Sequence, residues 1–239
     1  MKLDLLVFAV HPDDAELGCS GTLLKHKANG KTTGIIDLTR GELGTRGSAE
    51  TRAVEAADAA AILKLDVREN LAMRDGFFRN DEDHQMEIIR KIRQYQPNIV
   101  IANALKDRHP DHGRAAALIE DAAFLSGLVK IRTQLNGNDQ QPWRPRLLLH
   151  FIQDTYIHPD ILIDISQFWG NKMKSISAYK TQFYNPDYDE DNETYISSPE
   201  FVKSVEARNR EFGKYIGATF AEGFTCARPL GVGDLSDLL

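Results

Sequence analysis

Leu3-Asp4-Leu5-Leu6-Val7-Phe8-Ala9-Val10-His11-Pro12-Asp13-Asp14 is the stretch from which the fold is read. Residues 2–10 are a nearly continuous apolar run with Asp4 as the one acid, the pattern of a central parallel strand buried on both faces. Pro12 suits the first turn of a helix, and residues 15–28 carry Leu17, Leu23 and Leu24 before Asn29-Gly30 stops them. The unit is strand, polar loop, helix.

The same unit recurs along the chain. A strand over 33–38 leads into the glycine-rich loop Thr39-Arg40-Gly41-Glu42-Leu43-Gly44-Thr45-Arg46-Gly47, after which Ser48 is the expected N-cap of an alanine-rich helix over 49–65. Residues 66–73 add a third strand, and residues 81–95 repeat Met86, Ile89 and Ile92 at helical spacing before Pro97 ends them. A strand over 98–102, a helix over 113–128, strands over 147–152 and 161–165, and helices over 167–182 and 199–215 follow, with a polar surface loop over 136–146. Strands alternating with helices of this length imply one α/β domain over 1–239, a doubly wound, mainly parallel, Rossmann-like sheet with helices on both faces. In the common strand order 3-2-1-4-5, the first and fourth strands are neighbours, and the loops at their carboxyl ends open a crevice.

The 239 residues, 42% of them hydrophobic, suffice for one large core. A formal charge of -6 argues against non-specific binding to nucleic acid or to an anionic membrane, both of which call for excess Lys and Arg. Cys19 and Cys226 stand far apart in a chain with no charged-then-apolar leader and no membrane-length apolar run. The expectation is a soluble cytoplasmic protein with free thiols.

Two motifs fall on the expected crevice: His11-Pro12-Asp13-Asp14 after the first strand, and His109-Pro110-Asp111-His112 after the fourth. His11 and Asp14, at i and i+3, converge on one ion at the start of a helix, and His112 completes a facial set. Two imidazoles and one carboxylate leave positions open for water or substrate, the donor pattern of a catalytic zinc site, with one ion expected per chain. Asp13 stays free beside that ion as a general base, because zinc lowers the pKa of a water it holds to about 7. His109 remains as an acid or oxyanion stabiliser, and the parts suffice for hydrolysis of an amide or ester without a covalent intermediate.

Each triplet taken singly also reads as a turn with an Asp cap. His158-Pro159-Asp160 is an internal control: it has the same three residues but stands before a strand, and it reads as a turn. Cys19 reads as a small buried residue, Asp37 as structural, and His26, His84 and His150 as ordinary residues.

These residues resemble the LmbE-like or PIG-L de-N-acetylases, whose hallmark is Ala-His-Pro-Asp-Asp with a Glu soon after, and a later His-Pro-Asp-His. Here the first motif is Val10-His11-Pro12-Asp13-Asp14-Ala15-Glu16-Leu17-Gly18, with Val10 in place of the Ala and Ala15 before the Glu. The resemblance continues through Leu38-Thr39-Arg40-Gly41-Glu42, Thr51-Arg52-Ala53-Val54-Glu55-Ala56, Arg108-His109-Pro110-Asp111-His112, Ile163-Asp164-Ile165 and residues 172–182. In length, in residues 39–47 and in Trp143-Arg144-Pro145 the chain is most similar to the bacillithiol-biosynthesis deacetylases.

The resemblance implies zinc held by His11, Asp14 and His112, Asp13 as general base, and His109 stabilising the oxyanion and protonating the leaving amine. It also implies sugar contacts from Glu42, Arg52 and Asp75, and a homo-oligomer, hexamer or trimer. The reaction implied is removal of acetyl from N-acetylglucosaminyl malate, a small amino-sugar conjugate. Malate carries two carboxylates that guanidinium groups hold bidentately, and Arg108 and Arg144 are the candidates. A solvated surface pair explains Arg52 equally well, and turn capping explains Glu42 and Asp75.

Two other classes compete. A de-N-acetylase of another sugar, a chitooligosaccharide or a mycothiol precursor, keeps the same chemistry. A non-catalytic Rossmann-like module that binds a nucleotide or a metal is the other. Nucleotide binding wants Gly-x-Gly-x-x-Gly at the first turn, where this chain has His and two carboxylates that repel phosphate, and Gly18 and Gly21 come too late. Residues 185–198 and the loop near Tyr156 are polar and long enough to cover the site.

Overall fold

The computed structural model describes residues 1–188 and 192–238. The strands are β1 (Leu5–Ala9), β2 (Thr33–Thr39), β3 (Val67–Met73), β4 (Ile99–Ala102), a hairpin of β5 (Gln134–Leu135) and β6 (Asn138–Asp139), then β7 (Leu147–Phe151), β8 (Ile161–Asp164) and β9 (Ala221–Cys226). The helices are α1 (Asp14–Ala28), α2 (Ala49–Leu63), α3 (Glu82–Tyr95), α4 (Pro110–Leu125), α5 (Trp169–Ser177) and α6 (Pro199–Tyr215). Seven strands make one sheet in the order β3-β2-β1-β4-β7-β9-β8. It is parallel from β3 through β7, while β9 runs antiparallel to both β7 and β8.

β1 shows why this sheet is wound on both sides. Leu6, Phe8 and Val10 point into a core shared with Ile88, Ile89 and Ile92 of α3 and Leu118 and Ile119 of α4. Leu5, Val7 and Ala9 point the other way, onto Cys19 and Leu23 of α1. The period of two along one continuous apolar run therefore serves two separate cores. A Cβ on Gly18 would overlap the Phe151 ring, so α1 packs directly on β7 through that glycine. As expected, β1 lies between β2 and β4, with Leu5 opposite Thr33 on one side and Ile99 on the other.

The observed elements depart from expectation in four places. Helix α4 starts at Pro110 rather than residue 113, because proline fits its first turn and His109 Nδ1 caps it by accepting from the Asp111 amide at 3.3 Å. The helix expected over 167–182 is a single 3-10 turn, Ser166–Phe168, followed by the short α5. Glu55 of α2 accepts from both the amide and the hydroxyl of Thr181, at 2.7 and 2.8 Å, and draws that segment off the helical path. The loop over 136–146 is partly a hairpin, turned by Asn136 and Gly137 with φ of 51° and 79°. Strand β9 has no counterpart in the expected series, because Glu222, Gly223 and Thr225 interrupt its apolar pattern. Glu222 is buried there by accepting from Lys172 Nζ and from the Gly21 and Thr22 amides.

Both cysteines are free, and among the described residues no helix is long and apolar enough to cross a membrane. His158-Pro159-Asp160, expected as a turn, lies in an irregular segment ahead of β8 with a bend at Asp160, whose side chain accepts from the Cys226 amide at 2.9 Å.

Candidate metal centre and active site

The two histidine motifs meet at the carboxyl ends of β1 and β4, in a cavity of about 320 Å³. Asp14, in the first turn of α1, stands between the histidines: its Oδ2 is 3.5 Å from His11 Nδ1 and 3.3 Å from His112 Nε2. The same oxygen accepts from the His11 amide and Asn103 Nδ2, each at 3.0 Å, and Oδ1 accepts from Gln153 Nε2 at 2.7 Å. The far nitrogen of each ring faces another acid. His11 Nε2 is 3.0 Å from Asp75 Oδ1, and His112 Nδ1 is 2.8 Å from Asp107 Oδ2.

The local electrostatics follow from burial among carboxylates. Burial opposes charge at His11, but Asp14 and Asp75 outweigh it and push the imidazole up to about 10. At His112 burial likewise opposes charge, and Asp14 and Asp107 push the ring up to about 9. Asp75 goes down to about 2 despite its burial, through its bond with His11. The acids thus hold cationic rings around one carboxylate oxygen, and a divalent cation bound there would have to displace the ring protons. The donor set, two imidazole nitrogens facing a shared carboxylate, suits zinc. Among the described residues, the groups of three whose ligand atoms all lie within 4.8 Å of one another are His11, His109 and His112, and His11, Asp75 and Asp111; Asp14 is in neither. Asp111 is less suited, since its oxygens already accept from the Gly76 amide at 2.9 Å and Arg114 Nη1 at 2.6 Å.

Asp13 is the N-cap of α1, yet its side chain makes no capping bond and its backbone sits at φ 134°, ψ -24°. For a residue with a Cβ this is strain, which the fold maintains at the cavity wall. Burial pushes its carboxyl up to about 7, against the pull of Arg52, whose Nη2 is 4.0 Å away. Arg52 is buried, hydrogen-bonded to Gln182 and in the cavity lining, so it is no solvated surface pair. Gly41 makes room for it: its φ is 63°, and a Cβ there would overlap Arg52 Nη1. His109 stands edge-on to His11 at 4.8 Å between ring centres, and burial and the neighbouring imidazoles hold its pKa below the ordinary value.

The other predicted positions divide. Arg108 lines the cavity, stacks 4.6 Å over Tyr195 and approaches Asp154 at 3.6 Å. Arg144 is not brought there. Its guanidinium lies 4.2 Å over Phe124 and donates to the Phe124 carbonyl, at the opposite end of α4 from His112, where a cation complements the helix terminus. Glu42 is exposed and outside the lining, and its oxygens accept from the Asp75 and Arg40 amides at 2.9 and 3.2 Å. It ties two loops together, as the turn-capping explanation holds. Asp75 lies against His11 and also accepts from the Leu43 amide at 3.0 Å.

Thr194, Tyr195 and Ile196 close one side of the cavity, while residues 189–191 of that expected cover lie outside the described residues and Tyr156 is not in the lining. Sequence reasoning did not find Asn103, Asp107, Gln153, Gln182 or Arg46. Asp107 could have been sought as an acid next to the second motif, whereas the others carry no spacing signal. Gln153 Oε1 is buried at the cavity without a hydrogen-bond partner among the described residues, an acceptor for a ligand N–H.

The family described as PIG-L, GlcNAc-PI de-N-acetylase, matches residues 6–123. A diacetylchitobiose deacetylase of Thermococcus kodakarensis is 26% identical over 190 residues, which cover 75% of this chain and 70% of that protein. Among solved structures, the conserved protein TT1542 from Thermus thermophilus superposes with a TM-score of 0.85 at 36% identity, covering 98% of each chain. The N,N'-diacetylchitobiose deacetylase from Pyrococcus horikoshii shares the fold with a TM-score of 0.80 at 22% identity, over 98% of this chain and 88% of that one. With both histidine motifs assembled in one cavity and these relatives spanning most of its length, the chain belongs to the PIG-L/LmbE-like family of de-N-acetylases.

Proposed function

We propose that the protein is a zinc-dependent amide hydrolase that removes acetyl from an N-acetylglucosamine conjugate, with N-acetylglucosaminyl malate as substrate. The observation that carries this reading is the Asp14 oxygen facing both His11 Nδ1 and His112 Nε2, with the Asp13 carboxyl tuned to about 7 at the same cavity. His11, Asp14 and His112 would hold one zinc ion. When bound, it would polarise the acetyl carbonyl and acidify water.

The chain's own groups supply the rest. Asp13, with a pKa near neutrality, takes the proton of the attacking water and returns one to the departing sugar nitrogen. His109 accepts the Asp111 amide on Nδ1, which leaves its proton on Nε2. A neutral imidazole in that tautomer donates to the oxygen that becomes anionic, but it has no second proton for the amine, so that task moves to Asp13. Arg52 favours the ionised Asp13, and Arg108 at the mouth offers a guanidinium to a malate carboxylate.

The relative from Thermococcus favours a second reading, a chitooligosaccharide substrate with the same scissile amide. Zinc content of protein purified without chelator, with amine release from N-acetylglucosaminyl malate and from diacetylchitobiose, separates them. About one zinc per chain and selective cleavage of the malate conjugate is the expected result. Selective cleavage of diacetylchitobiose replaces the substrate, and protein that takes up no zinc and cleaves neither overturns the reading. Asp14→Ala and His112→Ala are expected to lose the metal.

A further inference from the structure

We infer that Asp75 and Asp107 are positioning residues: each fixes the tautomer of one histidine, so that His11 offers Nδ1 and His112 offers Nε2 to a cation at Asp14. The inference rests on the metal reading above and goes beyond it, because it assigns Asp75 a role other than sugar contact.

An ionised carboxylate only accepts hydrogen bonds, so the ring nitrogen facing it carries the hydrogen. Asp75 therefore places the His11 hydrogen on Nε2, and Asp107 places the His112 hydrogen on Nδ1. The nitrogens left for a cation are Nδ1 of His11 and Nε2 of His112, the two that face Asp14 Oδ2 at 3.5 and 3.3 Å. Opposite tautomers are thus imposed on two rings that serve one ion. Each acid is itself held. Asp75 Oδ2 accepts from the Leu43 amide at 3.0 Å, and Asp107 Oδ1 accepts from the Thr155 and Arg108 amides at 2.7 and 2.8 Å. The remaining oxygen in each case faces the imidazole, at 3.0 Å from His11 Nε2 and 2.8 Å from His112 Nδ1. Such carboxylates raise ligand basicity and fix ring orientation, and removing one typically costs about 10–100-fold in metal affinity.

The test uses substitutions that preserve shape and reverse the tautomer. In Asp75→Asn and Asp107→Asn the amide oxygen still serves the loop amides, while the NH2 faces the imidazole and forces the hydrogen onto the nitrogen meant for the metal. Zinc affinity is measured by competition with a chromophoric chelator, beside thermal midpoint and KM. The expected result is that each Asn variant melts like the wild type and binds zinc about 10–100-fold more weakly, with Asp75→Ala and Asp107→Ala no worse binders than the Asn forms. Asn variants that bind zinc as tightly as wild type overturn the inference, and Asp75→Asn that changes KM alone returns Asp75 to sugar contact. Nitrogen-15 NMR of the zinc-loaded wild type gives an independent reading: a hydrogen on His11 Nδ1 or His112 Nε2 also overturns it. Wild-type protein that binds no zinc fails the metal reading itself, a distinct outcome.

Discussion

Two buried charge clusters begin on the same turn of α1 and end differently. Asp14 opens the cavity with His11, Asp13, His109 and His112, while Glu16, two residues on, points into a second group with Arg68, Asp37, Tyr179, Lys172 and Glu222. In the second group nearly every charge is met. Arg68 holds Asp37 at 3.0 and 3.1 Å, and Lys172 Nζ donates to two α1 carbonyls and to Glu222. Glu16 Oε2 is buried there without a partner among the described residues. In the first group the backbone of Asp13 is strained, Gln153 Oε1 lacks a partner among the described residues and the like-charged rings of His11 and His112 lie 5.8 Å apart. Saturation marks the cluster that holds the fold, and residual strain and open valence mark the one poised to take a ligand.

The contrast can be broken or sharpened by substitution. The largest effect is expected at Asp13→Gly: turnover falls about 10²–10⁴-fold, while relief of the strained φ stabilises the protein by ~1 kcal/mol in urea unfolding. A variant that loses stability along with activity would remove Asp13 from the strained class. Next is Lys172→Met, which strands buried Glu222 and should cost ~3–5 kcal/mol while leaving zinc per folded chain at the wild-type level. Unchanged stability there would mean that the second cluster does not hold the fold.

Gly41→Ala lies across the two classes, since its Cβ must displace Arg52 from Asp13. A drop in kcat of about tenfold, ~1.4 kcal/mol, is expected with zinc binding intact. The smallest effect is at Asp66, which pairs with Lys27 at 2.7 Å on the surface. Burial alone would raise its carboxyl, but Lys27 and the Thr33 amide hold it below the ordinary 3.8. Its contribution is therefore full above that value and is lost as pH falls through the lower folded value. Asp66→Asn should remove ~0.5 kcal/mol near neutral pH and nothing in strong acid, read from paired urea curves.

What was legible in the sequence follows the same division. The runs at 2–10, 49–65 and 199–215 gave elements because burial on one or both faces imposes a periodicity that residues carry locally. The motifs gave His11, Asp14 and His112 because strand-to-loop transitions at neighbouring strands must meet. Arg52 needed the fold, since only the tertiary path of residues 41–47 shows it buried. Arg144 misled because a guanidinium near a loop has no local signal of which way the helix beside it runs. Strand β9 was hidden by Glu222, a residue that belongs in a sheet interior only when a lysine fifty positions away in sequence arrives to meet it.

That last strand has a kinetic consequence. β9 lies inside the sheet, and β8, made earlier, pairs among the described residues with β9 alone, with Ile161 opposite Phe224. On a ribosome, β8 emerges and must wait, unpaired at an edge, through the synthesis of α5 and α6. Glu222 then locks onto the Gly21 and Thr22 amides, 201 and 200 residues distant. β9, the last of the described strands in chain order, thus fastens the helix that carries Asp14, and closure of the sheet is a long-range step in acquiring the site.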